Sequence, residues 1–401
     1  MNAKFPTAKL TDIADLNPTL GKKLPAEELV SFVPMASLSA ESASVETTQD
    51  RPYAEVAKGF TPFLDGDVLV AKITPCFENG KIAQARLPRS HGFGSTEFHV
   101  VRARPGIAES RYLHHYLRLE EVRINGQRRM TGSGGQRRVP ASFLADLAIP
   151  QPPLEEQRRI AAILDQAETL RTHRRTALAL LDSLTQSLFL DMFGTGKSHG
   201  WPTTSIGEIV DEEHGGMRTG PFGSQLLHSE FVNEGVAVLG IDNAVNNEFR
   251  WGERRYITHA KYEELKRYTV RPGDVLITIM GTCGRCAVVP DDIPLAINTK
   301  HLCCISVDRQ RVVPDYLHAY FLRHPTARKY LEQTAKGAIM SGLNMGIIKA
   351  MPIALPPLPL QQTFATRIAS IEALKATHRR ALAALDALFA SLQQRAFAGA
   401  L

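Results

Sequence analysis

The chain of 401 residues lacks any apolar run that approaches the roughly 18 residues needed to span a membrane. Its opening segment, MNAKFPTAKL, also lacks the apolar core of a secretory signal peptide. Cysteine is scarce, and 5 thiols scattered over such a length fit a reducing compartment better than a disulfide framework. These deficiencies together predict a cytoplasmic protein that does not associate with a membrane.

Neither sign of charge dominates the composition. Lys and Arg number 47 against 41 Asp and Glu, which gives a formal net charge of +6. This balance permits a polyanionic partner without requiring one. Hydrophobic residues make up 44% of the chain, and the length exceeds the roughly 250 residues at which single cores stop growing, so two globular domains are expected.

Motifs of DNA-modifying and DNA-cutting enzymes are incomplete in this sequence. GTGKS at residues 194–198 is not a phosphate-binding loop, because Asp191 stands where the first glycine is required. NPTL at residues 17–20 is not the (Asp/Asn/Ser)-Pro-Pro-(Tyr/Phe) motif of amino-methyltransferases. EELK at residues 263–266 offers the Glu-x-Lys of many nucleases, but its helical setting favours a surface ion pair. We therefore expect no catalytic residues on this chain.

The cysteines also fail to form a convincing metal site. Cys283 and Cys286 have C-x2-C spacing, but Cys303 and Cys304 downstream are adjacent, and adjacent cysteines rarely both ligate one zinc ion. If HLCCISV is a strand, those last two thiols point to opposite faces of its sheet. The 13 histidines show no recognisable spacing to a nucleophile. No metal is expected, and the cysteines are interpreted as small core side chains.

What the sequence does contain is an internal repeat that covers the whole chain. Four segments recur in the same order at offsets between 196 and 207 residues, which is typical of a tandem duplication. The paired segments are FPTAKLTDIAD (5–15) with WPTTSIGEIVD (201–211), GDVL at Gly66 with GDVL at Gly273, YLHHYLR at Tyr112 with YLHAYFLR at Tyr316, and PPL at Pro152 with PPL at Pro356.

Each repeat begins with a part of mixed pattern. Short β-like runs, DVLVAKI (67–73), FHVVRA (98–103), VAVLGI (236–241) and DVLITIM (274–280), are bounded by Gly, Pro and Asn and predict strands. ESRYLHHYLRLEEVR and VPDYLHAYFLRHPTARKYLEQ place apolar residues at helical spacing. The fold class is therefore α+β, with domains at residues 1–150 and 196–355.

A long helical segment follows each mixed part, at residues 151–195 and 356–401. In the first, Pro153 and two acidic residues favour a helix start and Gly194 a helix stop. Apolar residues in both segments follow alternating steps of 4 and 3, typical of a coiled-coil seam. The seam positions are Ile163, Ala167, Leu170, Arg174, Ala177, Leu181, Leu184 and Leu188, then Phe364, Ile368, Ile371, Lys375, His378, Leu382, Leu385, Phe389, Leu392 and Ala396.

Two seams in one chain are expected to pair with each other, because each needs an apolar partner. Antiparallel pairing would bring Arg174 and His378 into one central layer and impose a pseudo-two-fold axis. Duplex DNA has two-fold axes of its own. The alternative is that each helix packs only on its own domain.

At this point the pattern resembles the specificity subunits of type I restriction-modification systems, over essentially the whole chain. The resemblance is carried by IPQPPLEEQRRIAAILDQAETL (149–170), WPTTSIGEIV (201–210) and GPFGSQL (220–226). The second helix departs from the family, reading LPPLPLQQTFATRI where a Glu-Gln-rich start is usual.

The resemblance implies a non-catalytic protein that reads a bipartite sequence in double-stranded DNA, one half-site per target-recognition domain. It also implies that the paired helices dock two methylation subunits, which restriction subunits join. S-adenosylmethionine, ATP and Mg²⁺ are then expected on those partners, and no cofactor on this chain. A DNA-modifying or DNA-cleaving enzyme and a coiled-coil scaffold that never touches DNA remain alternatives.

Candidate DNA-contacting residues are the Arg, Lys, Asn and Gln side chains of glycine-containing loops, because such side chains bind phosphates and base edges. The segment NGQRRMTGSGGQRRV (125–139), with its four arginines, is the clearest, although a solvated charged loop would look the same. The predicted residues are Lys72, Lys81, Arg128, Arg129, Gln136, Arg137 and Arg138 in the first domain, and Arg218, Arg285, Lys336, Asn344 and Lys349 in the second.

Overall fold

The computed structural model describes residues 5–133, 135–194, 200–334 and 343–401. The chain divides into two compact units, unit 1 from Met1–Ala177 and His378–Leu401, and unit 2 from Leu178–Thr377. None of the described helices combines the length and the apolarity needed to cross a bilayer.

Unit 1 contains short strands and helices followed by the first part of a long helix. Its strands are β1 (Thr7–Lys9), β2 (Ala14–Leu16), β3 (Leu29–Val33), β4 (Gln49–Pro52), β5 (Thr61–Leu64), β6 (Val68–Ala71), β7 (Ile82–Gln84), β8 (His91–Gly94), β9 (Phe98–Ala103) and β10 (Ala148–Pro150). Its helices are α1 (Leu10–Ile13), α2 (Tyr53–Val56), α3 (Ser110–Leu117), α4 (Glu120–Arg128), α5 (Ala141–Ala145) and the long α6 (Leu154–Phe193), which continues into unit 2.

Unit 2 repeats this order. Its strands are β11 (Thr203–Ser205), β12 (Met217–Thr219), β13 (Val236–Leu239), β14 (Tyr256–Ile257), β15 (Thr269–Val270), β16 (Val275–Thr278), β17 (Cys286–Val288), β18 (Ala296–Asn298), β19 (Leu302–Ile305) and β20 (Pro352–Ala354). Its helices are α7 (His259–Leu265), α8 (Pro314–Arg323), α9 (Pro325–Thr334), α10 (Met345–Ala350) and the long α11 (Leu358–Phe397), which continues into unit 1.

The sheets confirm the tandem duplication. Within the described residues, unit 1 has sheets of order β2-β9-β6-β7 and β4-β3-β8-β5, and unit 2 has β12-β19-β16-β17 and β14-β13-β18-β15. In each second sheet the central pair, β3 with β8 and β13 with β18, is parallel. A further antiparallel pair closes each repeat, β1 with β10 and β11 with β20. The α+β class and the predicted strands are confirmed.

Each central strand is apolar on both faces because its sheet is covered on both sides. In unit 2, Val275 and Ile277 of β16 belong to the core that includes α8 and the long helices, whereas Leu276 belongs to the core shared with β13. Cys303 and Cys304 of β19 separate in the same way, one into each core, as the strand pattern predicts. The predicted opposite orientation of these two thiols is therefore confirmed.

The long helices pair antiparallel within each unit. In unit 1, Arg171 Nε lies 2.6 Å from Asp386 Oδ1, and Arg174 contacts the earlier residue His378. In unit 2, Lys375 Nζ lies 2.7 Å from Asp182 Oδ1. There the ring of Phe364 packs on Phe189 and Phe193, with centroids 5.6 and 5.3 Å away. Residue numbers fall along one helix as they rise along the other, so the predicted antiparallel pairing is confirmed.

Two predicted seam positions are wrong. Leu170 and Leu184 are 51% and 49% exposed, while Arg171 lies over the Phe389 ring at 4.4 Å and Thr185 is buried. A straight helix drifts from a strict seven-residue repeat by about 20° per heptad, which moves the buried row to the next residue. The other predicted positions are buried (Ala167, Phe364, Ile371, Lys375, Phe389, Ala396) or partly buried (Ile163, Arg174, Ala177, Leu181, Leu188, Ile368, His378, Leu382, Leu385, Leu392).

Candidate nucleic-acid interface

Two loops of unit 1 are joined by backbone hydrogen bonds at one edge of the domain. One is residues 72–81, between β6 and β7, and the other is the arginine-rich segment 129–139. Val139 N donates to Lys72 O at 2.9 Å, and Thr74 N donates to Arg137 O at 2.9 Å. The segment predicted as a flexible loop is thus attached to the central sheet at its carboxyl end.

The arginine-rich segment is itself closed into a hairpin. Thr131 and Arg138 exchange backbone hydrogen bonds of 3.0 and 2.8 Å. Gly132 has a φ of +128°, and a Cβ there would lie 2.6 Å from Gln136 O. Glycine is therefore needed for the chain to turn, and the turn presents residues 135–137 at its exposed tip.

The structure brings the predicted first-domain residues to this edge. Arg128 and Arg129 lie at the end of α4, which approaches the other loop because Gly126 packs against the Phe77 ring. Both arginines are exposed, whereas Lys81 is partly buried and its Nζ donates to Met35 O at 3.1 Å. The residues gathered here are Lys72, Lys81, Arg128, Arg129, Gln136, Arg137 and Arg138.

Acidic side chains lie beside two of these cations. Arg138 forms a bidentate pair with Glu97, at 2.8 Å from Nη2 to Oε1 and 3.0 Å from Nε to Oε2. This pair lowers the pKa of Glu97 and raises the pKa of Arg138. Arg137 Nη2 lies 3.2 Å from Glu78 Oε1. Both arginine side chains are more than 40% exposed, and exposed ion pairs stabilise weakly, so a phosphate can compete for either.

Arg218 in unit 2 was predicted to contact DNA, and the structure contradicts this prediction. It is only 8% exposed, and its guanidinium binds Asp274 Oδ2 at 2.8 Å and Ser306 Oγ at 3.0 Å. The segment GGMRTGPFGS looks like a loop, but its Met217–Thr219 portion is strand β12, paired with β19. The side chain of Arg218 therefore points into the domain and neutralises a buried carboxylate.

The remaining predicted residues of unit 2 are dispersed. Arg285 is exposed in the turn between β16 and β17, where its backbone N donates to Thr278 Oγ1 at 2.9 Å. Asn344 caps α10 by accepting from Ile347 N at 3.1 Å, and Lys349 in the last turn of that helix lies over Gly207. Lys336 lies outside the described residues.

A basic and aromatic segment that the sequence prediction missed lies beside the Arg285 turn. Within residues 240–255, Asn247 Oδ1 accepts from Cys286 N at 3.2 Å. Further along, the Arg254 guanidinium lies 5.2 Å from the centroid of Trp251, which is 40% exposed. The signal available in the sequence was FRWGERR, in which arginines alternate with aromatic and small residues.

A third loop completes this edge of unit 2. Thr299 N donates to Leu239 O, and Ile279 N donates to His301 O, each at 2.9 Å. Burial lowers the pKa of His301, and the nearby Lys300 and Arg255 lower it further. Cationic groups from three loops thus lie together, at the carboxyl ends of the parallel strands β13 and β18.

The buried thiols of unit 2 behave as core side chains. Cys286, Cys303 and Cys304 have no exposed surface, and burial raises the pKa of Cys303 to about 12. Metal ligation requires the thiolate, which such burial disfavours. Across residues 5–133, 135–194, 200–334 and 343–401, no cluster of three potential ligands is found.

Comparison with known proteins gives a consistent result. The family profile described as "Type I restriction modification DNA specificity domain" matches residues 2–179 and 201–386, one match per repeat. The EcoAI specificity subunit of Escherichia coli is 37% identical over 191 residues, which cover 44% of this chain and 32% of that relative. The EcoKI specificity subunit of Escherichia coli strain K12 is 25% identical over 356 residues, covering 80% of this chain and 72% of that relative.

A solved structure shares the fold. The type I restriction-modification S subunit from M. genitalium superposes with a TM-score of 0.61 at 13% identity, covering 99% of this chain and 96% of that one. The chain covers about a third of the length of the EcoAI subunit, so the comparisons describe a family and not a complete counterpart. With both repeats matched by the same profile, this chain belongs to the family of type I restriction-modification DNA specificity subunits.

Proposed function

We propose that this chain is the non-catalytic subunit that selects the DNA sequence for a type I restriction-modification complex, with each unit reading one half of a bipartite target. The observation that carries the proposal is the repetition of one sheet order in both units, with cationic loops at the same end of each. Two similar readers on one chain suit a target with two half-sites.

The division of labour follows from the loop chemistry. Arg and Lys bound to phosphates supply affinity, whereas Arg on guanine and Asn or Gln on adenine supply sequence choice. In unit 1 this role falls to Gln136, Arg137 and the neighbouring cations. In unit 2 it falls to Arg285 and to the 240–255 and 299–301 loops, with Lys336, Asn344 and Lys349 as further candidates.

Docking of two methylation subunits on the paired helices is also part of the proposal. Leu170 and Leu388 in unit 1 and Leu180, Leu184 and Leu374 in unit 2 are between 49% and 65% exposed on α6 and α11. Exposed leucines at such density are costly on an isolated surface and typical of an interface. Restriction subunits would then join, and the partners would bring S-adenosylmethionine, ATP and Mg²⁺ for reactions in the cytoplasm.

The test is co-expression with a type I methylation subunit, followed by co-purification and single-molecule sequencing of host DNA for methyladenine. We expect methylation at a single bipartite motif. Exchange of one unit's recognition domain should alter one half of that motif only. A stable complex that methylates nothing would contradict the reading role, and methylation by this chain without a partner would contradict its non-catalytic role.

A further inference from the structure

Apolar side chains are exposed within the cationic edge of unit 2. Ile241 and Val245 lie in the turn Ile241–Asn247 that follows β13, and Met280 lies in the turn after β16. They are 38%, 41% and 40% exposed, respectively. The two turns touch, because a Cβ placed at Gly281 would lie 3.3 Å from Ile241 Cδ1.

The corresponding edge of unit 1 differs. After β3, the parallel equivalent of β13, Met35 packs against the core formed by Val33, Leu38 and their neighbours. Lys81 donates to the Met35 carbonyl and covers it further. An exposed apolar cluster at this end is therefore a property of the second repeat and not of the shared fold.

Cations surround the apolar cluster. Arg285 lies at the end of the Met280 turn, and Lys300 and His301 follow β18, where His301 O is bonded to Ile279 N. Arg255 is close enough to lower the pKa of His301. A surface of this charge complements a polyanion, and the major groove displays one apolar group on its base edges, the 5-methyl of thymine.

We propose that Ile241 and Met280, supported by Val245, contact thymine methyl groups in the half-site read by unit 2. This inference rests on the proposed function and adds the chemical class of the base that is read. The cations bind the flanking phosphates and hold the cluster in the groove. Hydrocarbon against thymine removes apolar surface from water, whereas against cytosine it meets the amino group side of the base pair instead.

The experiment uses the complex of this chain with its methylation subunit and the motif found by methylation mapping. Synthetic duplexes replace each thymine of both half-sites in turn by deoxyuridine, which pairs identically but lacks the methyl group. Binding is measured by fluorescence anisotropy at fixed salt. The variant is I241A together with M280A, and the matched control is L295A, since Leu295 is 44% exposed just before β18, at the opposite end of the same sheet.

We expect deoxyuridine to weaken wild-type binding about threefold to tenfold at one or more positions of one half-site. The I241A/M280A complex should lose this thymine preference, while the L295A complex retains it. Specific binding with no thymine preference in either half-site, or a preference that survives in I241A/M280A, would overturn the inference and leave the proposed function standing.

Two further outcomes are decisive. If I241A/M280A no longer co-purifies with the methylation subunit, the cluster is a protein contact and the inference is wrong. If the wild-type complex neither methylates nor binds any specific sequence, the proposed function fails and this inference fails with it.

Discussion

The guanidinium of Arg174 on α6 donates a hydrogen bond to Nδ1 of His378 on α11 across 3.2 Å. Arginine has no acceptor, so the histidine in this bond is neutral and carries its proton on Nε2. The two residues occupy equivalent positions of the two repeats, 204 residues apart, as Pro152 and Pro356 do. The central polar layer expected from the seam pattern is therefore present.

Removing this layer should stabilise the protein. Arg174→Leu combined with His378→Leu replaces a partly buried polar pair by apolar side chains, and we expect the free energy of unfolding to rise by about 1 to 2 kcal/mol. Urea denaturation of the full chain measures it. His378→Leu alone should destabilise, because it removes the acceptor of a partly buried cation. A double variant less stable than the wild type would contradict the prediction.

Equivalent glutamines anchor the two long helices. The Gln157 amide donates to two carbonyl oxygens at 3.0 and 3.1 Å and accepts from a backbone N at 2.9 Å just before α3. Gln361 makes the same three bonds before α8, at 2.8, 3.0 and 2.9 Å. Gln157→Ala and Gln361→Ala should each cost about 1 to 3 kcal/mol, because buried backbone groups lose their partners.

The matched controls for the glutamines are Gln166→Ala on α6 and Gln362→Ala on α11, since both side chains are exposed. Each should change the free energy of unfolding by less than about 0.5 kcal/mol. Equal effects of Gln157→Ala and Gln166→Ala would show that the anchor contributes nothing.

Arg218 and Arg285 should separate folding from DNA contact. Arg218→Ala leaves Asp274 buried without its cation, so we expect a loss of about 3 to 5 kcal/mol in unfolding free energy. Arg285→Ala should leave stability within about 0.5 kcal/mol, because that side chain is exposed, yet weaken DNA binding by the assembled complex. Thermal denaturation and binding assays on both variants decide; a stable Arg218→Ala protein would contradict the structural assignment.

Arg137 and Arg138 should reveal whether the unit 1 hairpin reads bases or phosphates. If either binds a guanine, its change to Ala should relax one half-site only, at about 1 to 3 kcal/mol. If both bind phosphate, affinity should fall alike for all sequences and the salt dependence should become shallower by about one phosphate. Methylation mapping and salt titrations of binding distinguish the two. No change in either would remove the hairpin from the interface.

His318 should make stability depend on pH. Its Nε2 donates to Asn247 O and Cys286 O at 3.0 and 3.1 Å, and burial lowers the pKa of His318 from 6.5 to about 4. Because the folded protein resists protonation, this stabilisation is complete above pH 6.5 and is lost as the pH falls towards 4. The loss from this one group should reach up to about 3 kcal/mol.

Urea denaturation between pH 7 and pH 4, a range of about three units around the histidine pKa, measures this effect. His318→Gln keeps a donor for the carbonyl oxygens but does not titrate, so its profile should be flatter. The control, His259→Gln at the exposed start of α7, should follow the wild type. Identical profiles for His318→Gln and the wild type would exclude His318 as a source of the dependence.

Regular features of the fold could be predicted because local chemistry dictates them. The helix that follows Pro152 and Pro153 begins at Leu154 and ends at Phe193, next to Gly194, as its boundary residues indicate. The strand FHVVRA forms β9 with the expected bounds. The predicted continuous helical patterns, in contrast, are interrupted at Arg118 and at His324, where α3 gives way to α4 and α8 to α9.

The candidate interface was less predictable, since it depends on residues far apart in the chain. Arg218 resembles its neighbours in a glycine-rich segment, and only its distance to Asp274 shows that it is internal. The 240–255 segment becomes part of the interface only because β13 and β18 lie side by side. No local pattern encodes that adjacency.

The sequence by itself determined the duplication, the two long helices and the family, because repeated motifs, helix caps and heptad spacing are written along the chain. Tertiary structure alone decided which arginines are free to meet DNA and which are consumed by buried carboxylates. It also decided which helix residues form the seam, because burial depends on what packs against each face and not on the spacing of apolar residues alone.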